Sequence, residues 1–365
     1  MSTIATAYNS IEDSACAKVV QAIDKINSQA LVKHPTGVLD ALQSQQNKGT
    51  FSLDLTPNKD RPTTGSFRKV YTKDIAPNCT TNSTADSVCT APSFSADDVA
   101  GGYLFAEHEI NSSIKREIIL DLEEFKKFCI SPTEYIADRL IGLSQGVLAE
   151  IDTKLTTKVA AYMGKYKGQV APNNSISAPK DVSFLTSNTM GGFLFDPTGY
   201  AKIKDEYSKL GFAYDSPIIV GGSHIGVFQT SAQFMGGANI NGVSNGVVPN
   251  LFVDYNVDAF FNDNGNHLLT WKPGAIQVVS VNGITDDMIR MSTQNVQERM
   301  RVKSPFGDGF EWEFYFDKDL STGCKYRMKW QLWFDAIVPI PYDGTCVGKP
   351  ILHFGTNCDG NTCPN

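Results

Sequence analysis

Apolar and polar positions divide the chain into stretches of different period. Between residues 8 and 45, Ile11, Val19, Val20, Ile23 and Ile26 recur at helical spacing, and a second helical piece is predicted from Thr36 to Ser44. From Thr50 to Ala100 the period breaks into polar text such as PNKDRPTTGSF and APNCTTNSTADSVCTAPSFSADD. Within it, the alternating runs FSLDL and FRKVYT predict short strands. A polar excursion of about fifty residues exceeds an ordinary connection and predicts a protruding β-loop ordered against another surface.

The best-specified element is SPTEYIADRLIGLSQGVLAEIDTKLTTKVAAYMGKY. Ser131 suits an N-cap, Pro132 the first helical position, and Glu134 the third residue of a capping box. Ile136, Leu140, Leu143, Val147, Ile151, Leu155, Val159 and Tyr162 then form a stripe of threes and fours, and Gly164 suits a stop. The span from Pro132 to Met163 predicts a helix of roughly 48 Å. Gly142 and Gly146 on one face leave room for another backbone to approach.

Residues 196–290 read as an α/β unit. Asp196 and Pro197 open a helix through Tyr200, Ile203 and Tyr207, which stops at Gly211. PIIVGG is a buried strand and HIGVFQTSAQF a helix, while LFVDYNVDAFF, HLLTWK and AIQVVSV read as strands.

EWEFYFDKDLSTGCKYRMKWQLWF, from Glu311 to Phe334, predicts a hairpin turning in DKDLSTG. One register faces Trp312 with Trp330, Phe314 with Met328 and Phe316 with Tyr326 on an apolar side. On the other side the same register pairs Glu313 with Lys329, Asp317 with Lys325 and Tyr315 with Arg327. A nucleic-acid platform needs aromatics and free cations on one surface, whereas this register separates them. The hairpin is therefore predicted to be a scaffold wall covered by the long helix.

Composition narrows the function. The 365 residues carry a net charge of −7, with 41% hydrophobic and 19% charged residues, which fits a globular chain and not a dedicated nucleic-acid binder. No apolar run reaches the length of a membrane span, and MSTIATAYNSIEDS predicts no secretory signal. The eight cysteines are expected as free thiols. Cys79 with Cys89, and Cys346, Cys358 and Cys363 in the tail, are the groups close enough in sequence to pair. The tail cysteines and His353 match no zinc spacing.

Catalytic motifs are incomplete. Ser223 in IIVGGSHIGVF has Gly221 before it, but a nucleophile elbow needs glycine where Ile225 stands. His267 and His353 lie downstream of it. Gly221, Gly222 and Gly226 make no dinucleotide fingerprint. Asp317, Asp319 and Ser321 begin like a calcium loop that lacks its glycine and its closing glutamate. Ile110, Ile114, Ile118 and Leu122 sit among charges, as on a solvated face. With five histidines and none at metal or triad spacing, no enzyme, metal or cofactor is expected.

The order of parts (helical arm, polar β-excursion, capped long helix, α/β unit, aromatic sheet segment) resembles the major capsid proteins of tailed bacteriophages, the Hong Kong 97 fold. Local echoes are YAKIKDEYSKLGFAYDSPIIVGG, LLTWKPGAIQVV with Pro273-Gly274-Ala275, and MKWQLWFDAIVPI. The resemblance implies an α+β fold with an N-terminal arm (1–49), an E-loop (50–117) and a P-domain with a spine helix (118–168). An A-domain (169–300), P-domain strands (301–342) and a Cys-containing tail (343–365) outside the family pattern would follow. It further implies self-assembly into hexamers and pentamers of an icosahedral shell around double-stranded DNA without sequence-specific contact. Portal, scaffolding and head-decoration proteins would be partners, and the location would be a virion assembled in bacterial cytoplasm. Lys69 and Lys73 lie in the E-loop but match no crosslinking motif. Two alternatives stay open: an encapsulin-type nanocompartment of the same fold, and a monomeric carbohydrate-binding or hydrolase protein with Asn/Gly-rich loops as binding edges.

Overall fold

The computed structural model describes residues 15–28, 37–46, 66–72, 103–121, 131–163, 180–181, 185–187, 193–195, 198–209, 216–235, 250–262, 267–281, 296–319, 325–338 and 351–355. Helices α1 (Ala15–Ser28) and α2 (Gly37–Gln46) are followed by strands β1 (Ser66–Thr72), β2 (Tyr103–Glu109) and β3 (Ser112–Asp121). The long helix α3 (Pro132–Tyr162) comes next, then short strands β4 (Lys180–Asp181), β5 (Leu185–Ser187) and β6 (Phe193–Phe195). After α4 (Thr198–Lys209) come β7 (Ile218–Gly221), α5 (Ser223–Met235), β8 (Leu251–Val253), α6 (Asn256–Phe261) and β9 (His267–Trp271). The chain ends with β10 (Gln277–Val281), β11 (Val296–Lys303), β12 (Glu311–Asp319), β13 (Lys325–Ile337) and β14 (Ile351–Gly355). The fold is α+β.

α3 forms where the stripe demands it. Its 31 residues make a rod about 46 Å long. Ile136, Leu140, Val147, Ile151, Leu155 and Val159 are buried in one core with Val19, Ile23 and Ile26 of α1 and Val38, Leu39 and Leu42 of α2. Beside that apolar row runs a polar one at four-residue spacing, which ties α3 to β3 and the end of β13. Glu150 meets Arg116 at 2.5 Å and Lys154 at 2.9 Å. Lys154 Nζ donates to Ser113 O at 2.7 Å, Lys158 meets Asp335 at 3.0 Å, and Tyr162 Oη donates to Ala336 O at 2.9 Å. Asp335 is fully buried, so this row gives it a counter-charge the apolar row could not supply.

One five-stranded sheet is built around β13, which pairs antiparallel with β3 along one side and with β12 and then β10 along the other. β11 closes the sheet beyond β12. The segment from Ile110 onward is thus a strand. Ile114, Ile118 and Leu120 are buried while Lys115, Glu117 and Ile119 face out, the alternation of a strand with one covered face. β1 and β2 pair with each other over seven residues as a separate two-stranded sheet, placing FRKVYT in a strand; FSLDL lies outside the described residues.

A second five-stranded sheet has the order β4-β14-β9-β7-β8. β7 and β9 are buried on both faces. Ile218, Val220, Leu269 and Trp271 belong to the main core. Ile219 and Leu268, facing the other way, pack with Ile203 and Tyr207 of α4 and Ile225 and Phe228 of α5. Three expectations change here. LFVDYNVDAFF holds only a three-residue strand before α6, because Asp254 Oδ1 accepts from Asn256 N at 2.8 Å and turns the chain into a helix. AIQVVSV leaves this unit: a turn at Gly274, with φ of 84° and Ala275 N donating to Lys272 O, sends β10 into the other sheet. The C-terminal segment is no appendage, since β14 pairs antiparallel with all of β9 and contributes Ile351 and Phe354 to the two cores.

Candidate functional site

The aromatic segment was the candidate surface. Trp312, Phe314, Phe316, Tyr326, Met328 and Trp330 are all buried in the main core together with the α3 stripe. The faces are those expected, but the register is not. Phe314 lies opposite Trp330, Phe316 opposite Met328, and Glu313 opposite Gln331. The ladder is shifted by two residues, which keeps every side chain on its face and so leaves the apolar alternation unchanged. The expected Glu313–Lys329 and Trp312–Trp330 pairs do not form.

The charged positions face the neighbouring strands instead. Glu313 lies opposite Arg301 of β11, and Lys329 opposite Glu117 of β3. Glu313 is itself buried and accepts from Tyr315 Oη at 2.7 Å. A hairpin judged alone has one ladder; inside a sheet each strand has two, and the register is set by both.

On α3, Ser131 Oγ accepts from Glu134 N at 3.2 Å, and the Glu134 carboxylate lies 3.9 Å from Lys25 Nζ of α1. Gly142 and Gly146 are exposed, and a Cβ on either would meet nothing within 4 Å. No other backbone of this chain's described residues approaches them.

The catalytic candidates take part in structural contacts. Ser223 N, at the start of α5, donates to Asp258 Oδ2 at 2.8 Å, and Gly222 has no space for a side chain against the same carboxylate. Burial lowers the nearby His224, against the raising effect of Asp258. His267 Nδ1 and His353 Nε2 hydrogen-bond to each other at 3.0 Å across the β9–β14 ladder, with Phe261 stacked on both rings. Burial, followed by the charge of His267, depresses His353 to about 4, so that ring is uncharged near neutrality. Asp317 and Asp319 are strand residues opposite Arg327 and Lys325 instead of loop ligands, and Ser321 lies outside the described residues.

Among the described residues no group of three His, Cys, Asp or Glu is placed to hold a metal ion, and no helix is long and apolar enough to cross a membrane. Cys79, Cys89, Cys346, Cys358, Cys363 and Lys73 lie outside the described residues, and Lys69 is on β1.

Sequence reasoning missed the buried acids Asp152, Asp254, Asp308 and Asp335. The signal was present for Asp152, which stands between Ile151 and Leu155 on the covered side of α3. Asp308 stands in FGDGFEW, where a tight loop between strands favours a side chain that accepts backbone hydrogen bonds.

No protein-family model matches the sequence, and no curated protein matches it. Among solved structures the chain is similar to shells of viruses and virus-like particles. The capsid of Ralstonia phage GP4 is 11% identical, with 86% of this chain and 88% of that one covered and a TM-score of 0.39. A virus-like particle from Pyrococcus furiosus is 10% identical over 86% of this chain and 96% of the other, at 0.38. A structure from Mycobacterium phage Bobi is 9% identical over 89% and 91%, at 0.40.

Proposed function

We propose that this chain is a structural shell subunit, the major capsid protein of a tailed bacteriophage. Copies assemble as hexamers and pentamers of an icosahedral shell around double-stranded DNA. The observation that carries the reading is the β1–β2 ribbon, a two-stranded sheet separate from both large sheets. An isolated two-stranded ribbon is at best marginally stable in water, so such a ribbon calls for a covering surface, and a second copy of the chain supplies one. The exposed, small-residue face of α3 at Gly142 and Gly146 leaves room for a backbone to lie against it.

In this reading residues 1–49 are an arm and 50–117 an E-loop up to β3, which joins 118–168 and 301–342 in the P-domain sheet. Residues 169–300 are then an A-domain apart from β10 and the start of β11, which lie in the P-domain sheet, and the tail at 343–365 adds a strand to the A-domain. Ser131 and Glu134 set the start of the spine, and Trp312, Phe314 and Trp330 anchor the wall it rests on. Glu313 and Lys329 lie on the ladders that join that wall to its outer strands. The role is mechanical and not enzymatic, the location a virion assembled in bacterial cytoplasm, and portal, scaffolding and decoration proteins are the further partners.

Size-exclusion chromatography and negative-stain microscopy of the expressed chain test the reading. Capsomers or megadalton shells are expected. A protein that never exceeds a dimer at high concentration overturns it. Nuclease-protected double-stranded DNA inside purified particles separates a phage shell from a nanocompartment, in which an enzyme would co-purify.

A further inference from the structure

Three separate parts of the chain meet at two buried acids. Asp152 comes from the middle of α3 and Asp254 from the turn before α6, and both are buried, at 9% and 3% exposure. They converge on Gly37, the first residue of α2. A Cβ there would lie 2.8 Å from Asp152 Oδ2 and 3.0 Å from Asp254 Cγ, and Gly37 has a φ of 69°. Each carboxyl oxygen already has a donor. Leu39 N donates to Asp152 Oδ1 at 3.1 Å and Asn256 Nδ2 to Asp152 Oδ2 at 2.9 Å. Asn256 N donates to Asp254 Oδ1 at 2.8 Å and Thr156 Oγ1 to Asp254 Oδ2 at 2.5 Å.

Charged groups of α3 and α6 are held by other partners. On α3, Glu150 and Lys154 pair with each other, Glu150 also with Arg116 of β3, and Lys158 pairs with Asp335. On α6, Asp258 accepts from Ser223 N. Asp40 lies on α2 itself, and beyond α2 the loop before β12 brings Asp308, whose backbone oxygen accepts from Gln43 Nε2. No cation among these contacts neutralises the pair. Two adjoining buried carboxylates cannot both ionise cheaply, so they retain one proton between them.

We propose that Asp152 and Asp254 form a proton-operated latch that fastens the start of α2 to the spine helix and to the second sheet's unit. With the shared proton in place the two carboxyl groups hold each other and the Leu39 amide. When the proton leaves to solvent, two like charges are left facing across Gly37, and the first turn of α2 is released. The latch lies within one chain and stands whether or not copies assemble.

Burial, followed by the charge of Asp254, pushes Asp152 up from its ordinary 3.8 to about 8. A raised acid binds a proton in the folded state that the unfolded chain lacks. Its stabilisation is therefore complete below about 3.8 and is lost as pH rises through about 8. Asp308 acts in the same sense but only up to about 6, while His353 and His224 titrate below the ordinary histidine value of 6.5. Among the described residues with a clear shift, the interval from pH 6.5 to 8 is thus left to the latch.

Hydrogen exchange of the α2 amides in the full chain, corrected for the intrinsic pH dependence of exchange, tests it between pH 6.5 and 8.5. Protection is expected to fall by up to tenfold per pH unit until about pH 8, the signature of one proton. Asp152→Asn puts an amide donor where the proton sat and is expected to hold protection flat. Asp254→Asn places the same donor on the opposite partner, and is expected to do likewise. Wild-type protection that does not change over this interval overturns the latch, as does a folded Asn variant with the wild-type slope. If neither variant folds, the wild-type profile alone decides.

Discussion

Trp312 Nε1 donates to Asp308 Oδ2 at 2.9 Å, and both residues are fully buried. The carboxylate also accepts from Phe310 N at 2.8 Å, so one acid holds the loop before β12 and the first tryptophan of the wall. Gln43 of α2 reaches the backbone of the same residue. The aromatic wall is thereby fixed at its entrance by a polar contact.

Trp312→Phe keeps most of the packing and removes the donor. A buried carboxylate oxygen left unpaired costs about 1–3 kcal/mol. Because burial raises Asp308 from 3.8 to about 6, the wild type already loses stability as pH rises across that interval. Loss of the indole donor should push the upper limit of that interval higher. Denaturant midpoints at pH 5 and pH 8 are expected to separate further in the variant than in the wild type.

The His267–His353 pair predicts the opposite sign at acid pH. His353 is depressed from 6.5 to about 4, so the stability it contributes is present above about 6.5 and lost as pH falls through about 4. Hydrogen exchange of the β14 amides should accelerate over that range, after correction for intrinsic rates. His353→Gln should remove the acceleration that comes from this site.

Lys158→Met leaves Asp335, 1% exposed, without its ammonium partner. The Ala336 amide still donates to Asp335 Oδ1 at 2.9 Å, so the loss is partial, about 1–3 kcal/mol. Thermal unfolding should show it, and Lys158→Arg should recover part of it.

Trp330→Ala empties a site at the centre of the main core and is expected to cost about 3–5 kcal/mol. Ile119→Ala in the adjoining strand, where the side chain is 47% exposed, should change stability by no more than about 0.5 kcal/mol. Soluble yield and denaturant midpoints of the two variants should differ accordingly.

The elements that could be read from the sequence are those whose pattern is local. The cap at Ser131 and the stripe from Ile136 to Val159 specify α3 almost to its ends, because both signals act within a turn or two of helix. The wall's faces were legible for the same reason, since alternation depends on one strand alone. Its register was not, because a two-residue shift leaves alternation intact and the deciding partners, Arg301 and Glu117, sit on other strands. β14 was missed because its place depends on β9, some eighty residues earlier. Asp254 turned an apparent strand into α6 through a side-chain hydrogen bond that hydrophobic period does not record. Asp152 and Asp254 take partners from segments more than ninety residues away, and those partners are out of reach of any local pattern.

β13 runs for 13 residues, about 43 Å, and is the common partner of β3, β12 and β10. A slip of one residue in it would turn Tyr326, Met328, Trp330, Leu332 and Phe334 outward together and misalign three ladders at once. The three pairings are therefore a single decision, taken or failed as a unit. An intermediate with one ladder formed and the others out of frame has no way to correct itself piecemeal. The strand acts as the ruler against which the rest of the sheet is cut, and errors in synthesis or folding there should lead to wholly misassembled sheets and not to slightly loosened ones.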